Sequence, residues 1–168
     1  MKIRLKQILV VALVGLLAAG AWFGFGKARP APEVTVTRID GQPLNSTSLR
    51  GKVVLINFWA TTCTTCVKEM PRLVETWKQY TPRGYEMLAL AMSYDNPDWV
   101  RDFARRTELP VIVALDSTGE AATAYGDVRL TPTSFLIDRK GNIAAQYLGE
   151  PDWDELHQRI ERLLAEPA

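Results

Sequence analysis

Val53-Val54-Leu55-Ile56-Asn57-Phe58-Trp59 is apolar at every position but one, and a stretch with helical periodicity begins five residues later. A run of that length and composition predicts a strand buried on both faces, inside a sheet that is itself covered by helices. Across Thr64–Tyr80, Val67, Met70, Leu73, Val74 and Trp77 recur at three- and four-residue steps, the pattern of an amphipathic helix. Pro71 falls within it and is expected to interrupt and kink it. A buried strand that feeds directly into a long helix needs a crossover to a parallel neighbour, so the chain is constrained to an α/β architecture.

The rest of the pattern agrees. Residues 85–92 read as a second buried strand, 97–107 as a helix with Asn96 as N-cap and Pro97 at its first position, and 111–115 as a third core strand. A short helix over 117–125 ends at Gly126. Strands over 134–137 and Ile143–Leu148 flank the turn residues 138–142 as a hairpin. Residues 152–164 form an amphipathic final helix, with Trp153, Leu156, Ile160, Leu163 and Leu164 on its apolar side. Upstream, 34–37 is strand-like, Asp40-Gly41 is a turn signal, and 44–49 is a polar connection with room for a short strand. The expected fold is a central mixed β-sheet with helices on both faces.

The first thirty residues have a different character. Lys2, Arg4 and Lys6 precede an uncharged run whose apolar part, residues 8–25, would span about 27 Å as a helix, just enough for a bilayer core. Trp22 and Phe23 lie where interfacial aromatics are expected. We read residues 1–26 as an uncleaved signal-anchor and transmembrane segment, because apolar residues continue past the small-residue site Ala19-Gly20-Ala21 that a cleaved signal peptide would use. The basic N-terminal side stays in the cytoplasm and the domain is exported. Lys27 to Glu33, with Pro30 and Pro32, reads as an extended tether, and 34–168 as one domain. Five basic residues precede residue 31, so the remaining 15 basic and 19 acidic residues leave the domain at −4. A mildly acidic domain offers no electrostatic case for nucleic-acid binding.

Both cysteines of the chain, Cys63 and Cys66, fall at the junction of the buried strand and the helix. Two thiols three positions apart at a helix start are placed to close a disulfide with each other. The helix N-terminus, with its partial positive charge and free N–H groups, stabilises a thiolate there. An exported structural disulfide would normally close a long loop, and a four-residue loop gains little by cross-linking, so the pair is better explained by reactivity. Other chemistries fit poorly. Zinc needs three or four ligands, and the only histidine, His157, lies on the last helix and reads as a helix-face residue. Haem attachment requires histidine after the second cysteine, where Val67 stands. Trp77, Trp99 and Trp153 read as core or interface packing, and Asp95, Asp98 and Asp102 as charges at a helix N-terminus.

Phe58-Trp59-Ala60-Thr61-Thr62-Cys63-Thr64-Thr65-Cys66, followed by Pro71 and by Thr131-Pro132 far downstream, resembles the thioredoxin superfamily. The flanking runs, residues 49–59 and 132–138, look like its membrane-anchored TlpA/ResA/CcmG-like branch over about residues 34–166. The resemblance implies that Cys63 is the exposed attacking thiol and Cys66 the more buried resolving thiol, forming a redox-active disulfide. It implies a cis bond between Thr131 and Pro132 beside that pair, with Trp59, Thr62, Thr131 and Pro132 in the partner-binding region. It also places Glu69, on the same helical face as Cys66, where a carboxylate tunes the pair and relays a proton; the plainer reading is a solvated glutamate paired with Lys68 or Arg72.

Two departures stand out. Thr62 occupies a position where many relatives carry tryptophan, which removes a flat apolar contact surface. Asn57 replaces the aspartate of thioredoxins and cannot serve as a general base, which leaves Glu69 as the candidate. No histidine lies between the cysteines, so a potential of about −270 to −180 mV is expected. The expected function is thiol–disulfide exchange with exported proteins at the bacterial inner membrane, with the catalytic domain in the periplasm or another extracytoplasmic space and no cofactor beyond the cysteine pair. The direction read as primary is reduction, of the kind used in cytochrome c or copper-oxidase maturation, with a membrane thiol reductant behind it. Disulfide oxidation or isomerisation on the same fold, or tethered binding without catalysis, are the alternatives.

Overall fold

The structure is a computed structural model, and it describes residues 29–167. Seven strands form one sheet in the order β2-β1-β5-β4-β3-β6-β7. They are β1 (Thr35–Arg38), β2 (Pro43–Asn45), β3 (Val53–Trp59), β4 (Tyr85–Ala91), β5 (Ile112–Leu115), β6 (Thr133–Ile137) and β7 (Ile143–Leu148). Helices α1 (Thr64–Tyr80), α2 (Pro97–Arg106), α3 (Glu120–Ala124) and α4 (Trp153–Ala165) complete the order expected from the sequence.

β3 lies inside the sheet. It pairs in parallel with β4, from Val53 opposite Tyr85 to Trp59 opposite Ala91, and antiparallel with β6, from Val54 opposite Ile137 to Phe58 opposite Thr133. All seven of its residues are buried. Side chains alternate along a strand, so β3 feeds two cores. Val53, Leu55 and Trp59 pack with α1, α2 and α4, through Leu73, Val100 and Leu156 among others. Val54, Ile56 and Phe58 pack on the opposite face with Ala121, Ala122 and Tyr125 of the α3 region. The crossovers β3–α1–β4 and β4–α2–β5 step in the same direction across the sheet, and both helices join the same core, as crossovers of one hand require.

Several details differ from the sequence reading. Helix α1 runs through Pro71 without interruption, because Pro71 is exposed and the flanking turns are anchored by buried Cys66, Met70 and Leu73. Helix α3 is shorter than expected. Gly119 adopts φ +75°, and the buried Asp116 carboxylate accepts the N–H groups of Ala121 and Ala122 at 3.1 and 2.8 Å, which fixes the start. Residues 29–31, read as part of a tether, are held along the β6–β7 hairpin: Ala31 N–H donates to Gly141 O at 2.8 Å and Ile143 N–H to Arg29 O at 2.8 Å. The anchor expected over residues 1–26 lies outside the described residues. Among the described residues, no helix is long and apolar enough to cross a membrane.

Leu55 has no solvent exposure and sits on the α1 face of the central strand. Leu55→Ala is expected to cost about 3 kcal/mol in urea unfolding of the oxidised protein; a loss under about 1 kcal/mol would contradict the placement of β3 at the centre of the core.

Candidate active site

The parallel strands β3 and β4 end at the same edge of the sheet as antiparallel β6 begins. Three loops therefore meet there: residues 60–63 after β3, 92–96 after β4, and 129–132 before β6. Cys63 is the N-cap of α1, and its Sγ accepts the N–H of Cys66 at 3.2 Å. Cys66 is wholly buried while Cys63 is half-exposed. The two form a disulfide, with their Cα atoms 5.3 Å apart. The Thr131–Pro132 peptide is cis, and Thr131 O lies 3.5 Å from Cys63 Sγ. In the disulfide this is a contact, since sulfur carries no proton; in the dithiol it becomes an acceptor for the thiol. Pro132 is buried, and its carbonyl accepts Gly149 N–H at 2.8 Å, which ties the loop to the end of β7.

Glu69 is 2% exposed, so it is not a solvated helix glutamate. The alternation of β3 aims Asn57 at the same helix-covered face as Leu55 and Trp59. Its Nδ2 donates to Glu69 Oε1 at 3.1 Å and to Ser134 Oγ at 2.9 Å. Glu69 Oε2 has no hydrogen-bond partner among the described residues. Burial pushes the Glu69 carboxyl up to about 7; the Asn57 hydrogen bond works against this and the Glu150 charge adds to it. A carboxyl one turn along from Cys66 is thus set near neutrality, where it can both take and give a proton.

Trp59, expected in the partner-binding region, has no solvent exposure and packs its ring on Phe103 at 5.2 Å between centroids. A docking chain cannot reach it, and its place is beneath the loop. Thr62 is exposed and Thr131 half-exposed, both accessible beside Cys63. His157 sits on α4, half-buried, with Nε2 3.0 Å from Thr76 Oγ1. Trp153 belongs to the core, whereas Trp99 is 56% exposed and does not.

Two residues near the pair escaped the sequence reading. Asp95 is no simple helix-start charge: buried, it accepts Thr61 N–H at 2.6 Å and Thr61 Oγ1–H at 2.7 Å, clamping the loop that carries Cys63. Tyr94 OH lies 3.3 Å from Thr131 Oγ1 and links the β4 loop to the Thr131 loop. No local pattern marks either; the adjacency of β3 and β4 brings Thr61 and Asp95 together across 34 residues, and the β4-β3-β6 order brings Tyr94 and Thr131 to the same end of the sheet.

The Redoxin family model matches residues 27–164. The chain belongs to the Redoxin family. It is similar to the thiol–disulfide oxidoreductase ResA of Bacillus thuringiensis subsp. konkukian, 35% identical over 136 residues that cover 80% of this chain and 77% of that one. ResA of Bacillus anthracis is 31% identical over 170 residues, 96% of each chain. The crystal structure of a thioredoxin-family thiol:disulfide interchange protein from Chlorobium tepidum superposes with a TM-score of 0.75 at 28% identity, covering 83% of this chain and 99% of that one. This Redoxin is a thiol–disulfide oxidoreductase of the ResA/CcmG type, with a thioredoxin-like fold and Cys63–Cys66 as its disulfide.

The raised pKa of Glu69 has a thermodynamic consequence. The unfolded chain holds the proton only up to about 4.5, the folded chain up to about 7, so the folded state binds more protons in between. Stability conferred below the lower value is then lost as pH rises to the higher. Between pH 4.5 and 8 the oxidised protein is expected to lose on the order of 2 kcal/mol relative to Glu69→Gln, as read by urea unfolding. Parallel pH profiles for the two proteins would show that Glu69 is not desolvated.

Proposed function

We propose that this oxidoreductase works as a reductase of disulfides in exported proteins, with Cys63 attacking, Cys66 resolving and Glu69 moving the proton. The reading rests chiefly on one asymmetry: a half-exposed sulfur at a helix N-terminus, beside Thr131 and Pro132, is joined to a wholly buried one. The Cys63 thiolate, supported by the Cys66 N–H, attacks one sulfur of the partner's disulfide. That S–S bond breaks, its far sulfur leaves with the electron pair and takes a proton, and a mixed disulfide to Cys63 remains. Cys66 then gives its proton to Glu69 and attacks Cys63 Sγ. The mixed disulfide breaks, the Cys63–Cys66 bond forms, and the partner leaves with both sulfurs reduced. Two electrons pass from the dithiol to the partner, and a thiol reductant on the membrane would restore them.

Thr62, Thr131 and Pro132 would line the docking edge. Residues 1–26 would anchor the protein in the bacterial inner membrane and place the domain on the extracytoplasmic side, where the partners are exported proteins such as those of cytochrome c or copper-oxidase maturation. The cysteine pair alone carries the electrons in this scheme.

Replacing Cys66 by alanine in the full chain stops the second step. In the native host it is expected to accumulate mixed disulfides on Cys63 with exported proteins that contain cysteine pairs; the absence of any Cys63-dependent adduct would overturn the proposal. In stopped-flow resolution of a preformed mixed disulfide, Glu69→Gln is expected to slow the second step about 100-fold and to abolish its inflection near pH 7. An unchanged rate and profile would remove Glu69 from the proton path.

A further inference from the structure

The large hydrophobic side chains most exposed among the described residues are Tyr94 (60%), Trp99 (56%), Leu130 (64%) and Leu148 (67%). All four lie at the end of the sheet that holds Cys63. Tyr94 and Trp99 follow β4, Leu130 precedes Thr131, and Leu148 is paired with Thr133 at the start of β6. Exposed apolar surface gathered at one place marks a contact site. One part of it has shape. Thr61, Thr62, Val67, Trp99, Phe103 and Arg106 line a groove of about 370 Å³ that opens beside Cys63. Thr62 is the residue before Cys63, and Val67 N–H bonds the Cys63 carbonyl, so two lining residues flank Cys63 along the chain.

Its walls differ in character. Trp99 and Phe103, one turn apart on α2, supply an aromatic side, and Phe103 is held by Trp59 behind it. Arg106 supplies the charge. Elsewhere on α2, Arg101 pairs with Asp98 and Arg105 with Asp102, but among the described residues Arg106 makes no ion pair. An unpaired cation at the end of an aromatic groove favours an anionic group on whatever docks there.

We propose that this groove is a specificity subsite for the disulfide partner. It takes an aromatic or large aliphatic side chain adjacent to the partner's reacting cysteine, with a carboxylate beyond it paired to Arg106. Trp99 restores, from α2, the flat apolar surface that Thr62 does not supply from the cysteine loop. The subsite rests on the reading of Cys63 as the attacking thiol, because the groove is lined by Thr61 and Thr62 of the loop that carries it.

The test uses the full chain in its reduced form and two synthetic peptides of equal length. Each has one cysteine joined to 2-mercaptoethanol as a mixed disulfide. One carries phenylalanine beside the cysteine and glutamate two positions further on; the other carries serine and lysine there. The wild-type protein is expected to reduce the first about tenfold faster, a preference of the size that one well-seated aromatic anchor provides. Trp99→Ala and Arg106→Glu are each expected to lower this ratio at least about threefold, and the double variant to bring it near one. Lys140→Glu, a matching charge reversal in the β6–β7 hairpin at the far end of the sheet, should leave the ratio as it is. Trp99 is exposed and Arg106 unpaired, so neither change opens the core. A wild-type ratio near one, or one that survives both α2 substitutions, would overturn the subsite. If the wild-type protein fails to reduce even bis(2-hydroxyethyl) disulfide, the reading of Cys63 fails first and the subsite with it.

Discussion

Strand β3 is hydrogen-bonded on both sides and covered on both faces, and the site follows from that constraint. A strand so confined leaves the sheet only at its end, and the first free residues there are 60–63. The turn into α1 then places Cys63 at the helix N-terminus, where the Cys66 N–H points at its sulfur. The packing of α1 back over the sheet buries Cys66 and leaves Cys63 at the rim. The inequality between two chemically identical groups is thus a product of position. One sulfur has the helix end and solvent, and the other has the core.

The same packing imposes a cost. Alternation along β3 sends Asn57 toward α1, and the inward stripe of α1 includes Glu69, so a polar pair meets inside an apolar layer. Asn57, which also donates to Ser134, gives that carboxyl one good hydrogen bond, and among the described residues Glu69 makes no ion pair. A buried, unpaired carboxylate is expensive, and the group answers by holding its proton toward neutrality. A purely structural core would use an apolar residue here. A carboxyl that changes protonation near neutrality, one turn along from Cys66, meets the requirement of the proton path proposed above.

The elements with local signatures were readable in the sequence. β3 and α1 have the expected bounds, because the unbroken apolar run and the helical stripe are set by neighbours in sequence. The shared face of Cys66 and Glu69 was also legible from their spacing, whereas the burial of Glu69, against a solvated place beside Lys68 or Arg72, followed only from the packing of α1. What could not be read depends on which strands lie side by side. Asp95 looks like a helix-start charge until β4 is known to run parallel to β3, which brings its carboxylate to Thr61. Trp59 looks like part of the binding motif, but its place at the last paired position of β3, opposite Ala91 and under Phe103, puts it below the surface. Trp99 reads equally as core or interface packing, and its position on the first turn of α2, exposed beside the site, removes the core reading.

The central claim is that burial and the helix N-terminus make the two sulfurs unequal. Timed alkylation of the fully reduced protein with iodoacetamide at neutral pH, followed by peptide mass spectrometry, measures that inequality directly. The account predicts that Cys63 is modified at least about tenfold faster than Cys66, since attack needs both a thiolate and access to it. Equal rates, or faster modification of Cys66, would contradict it.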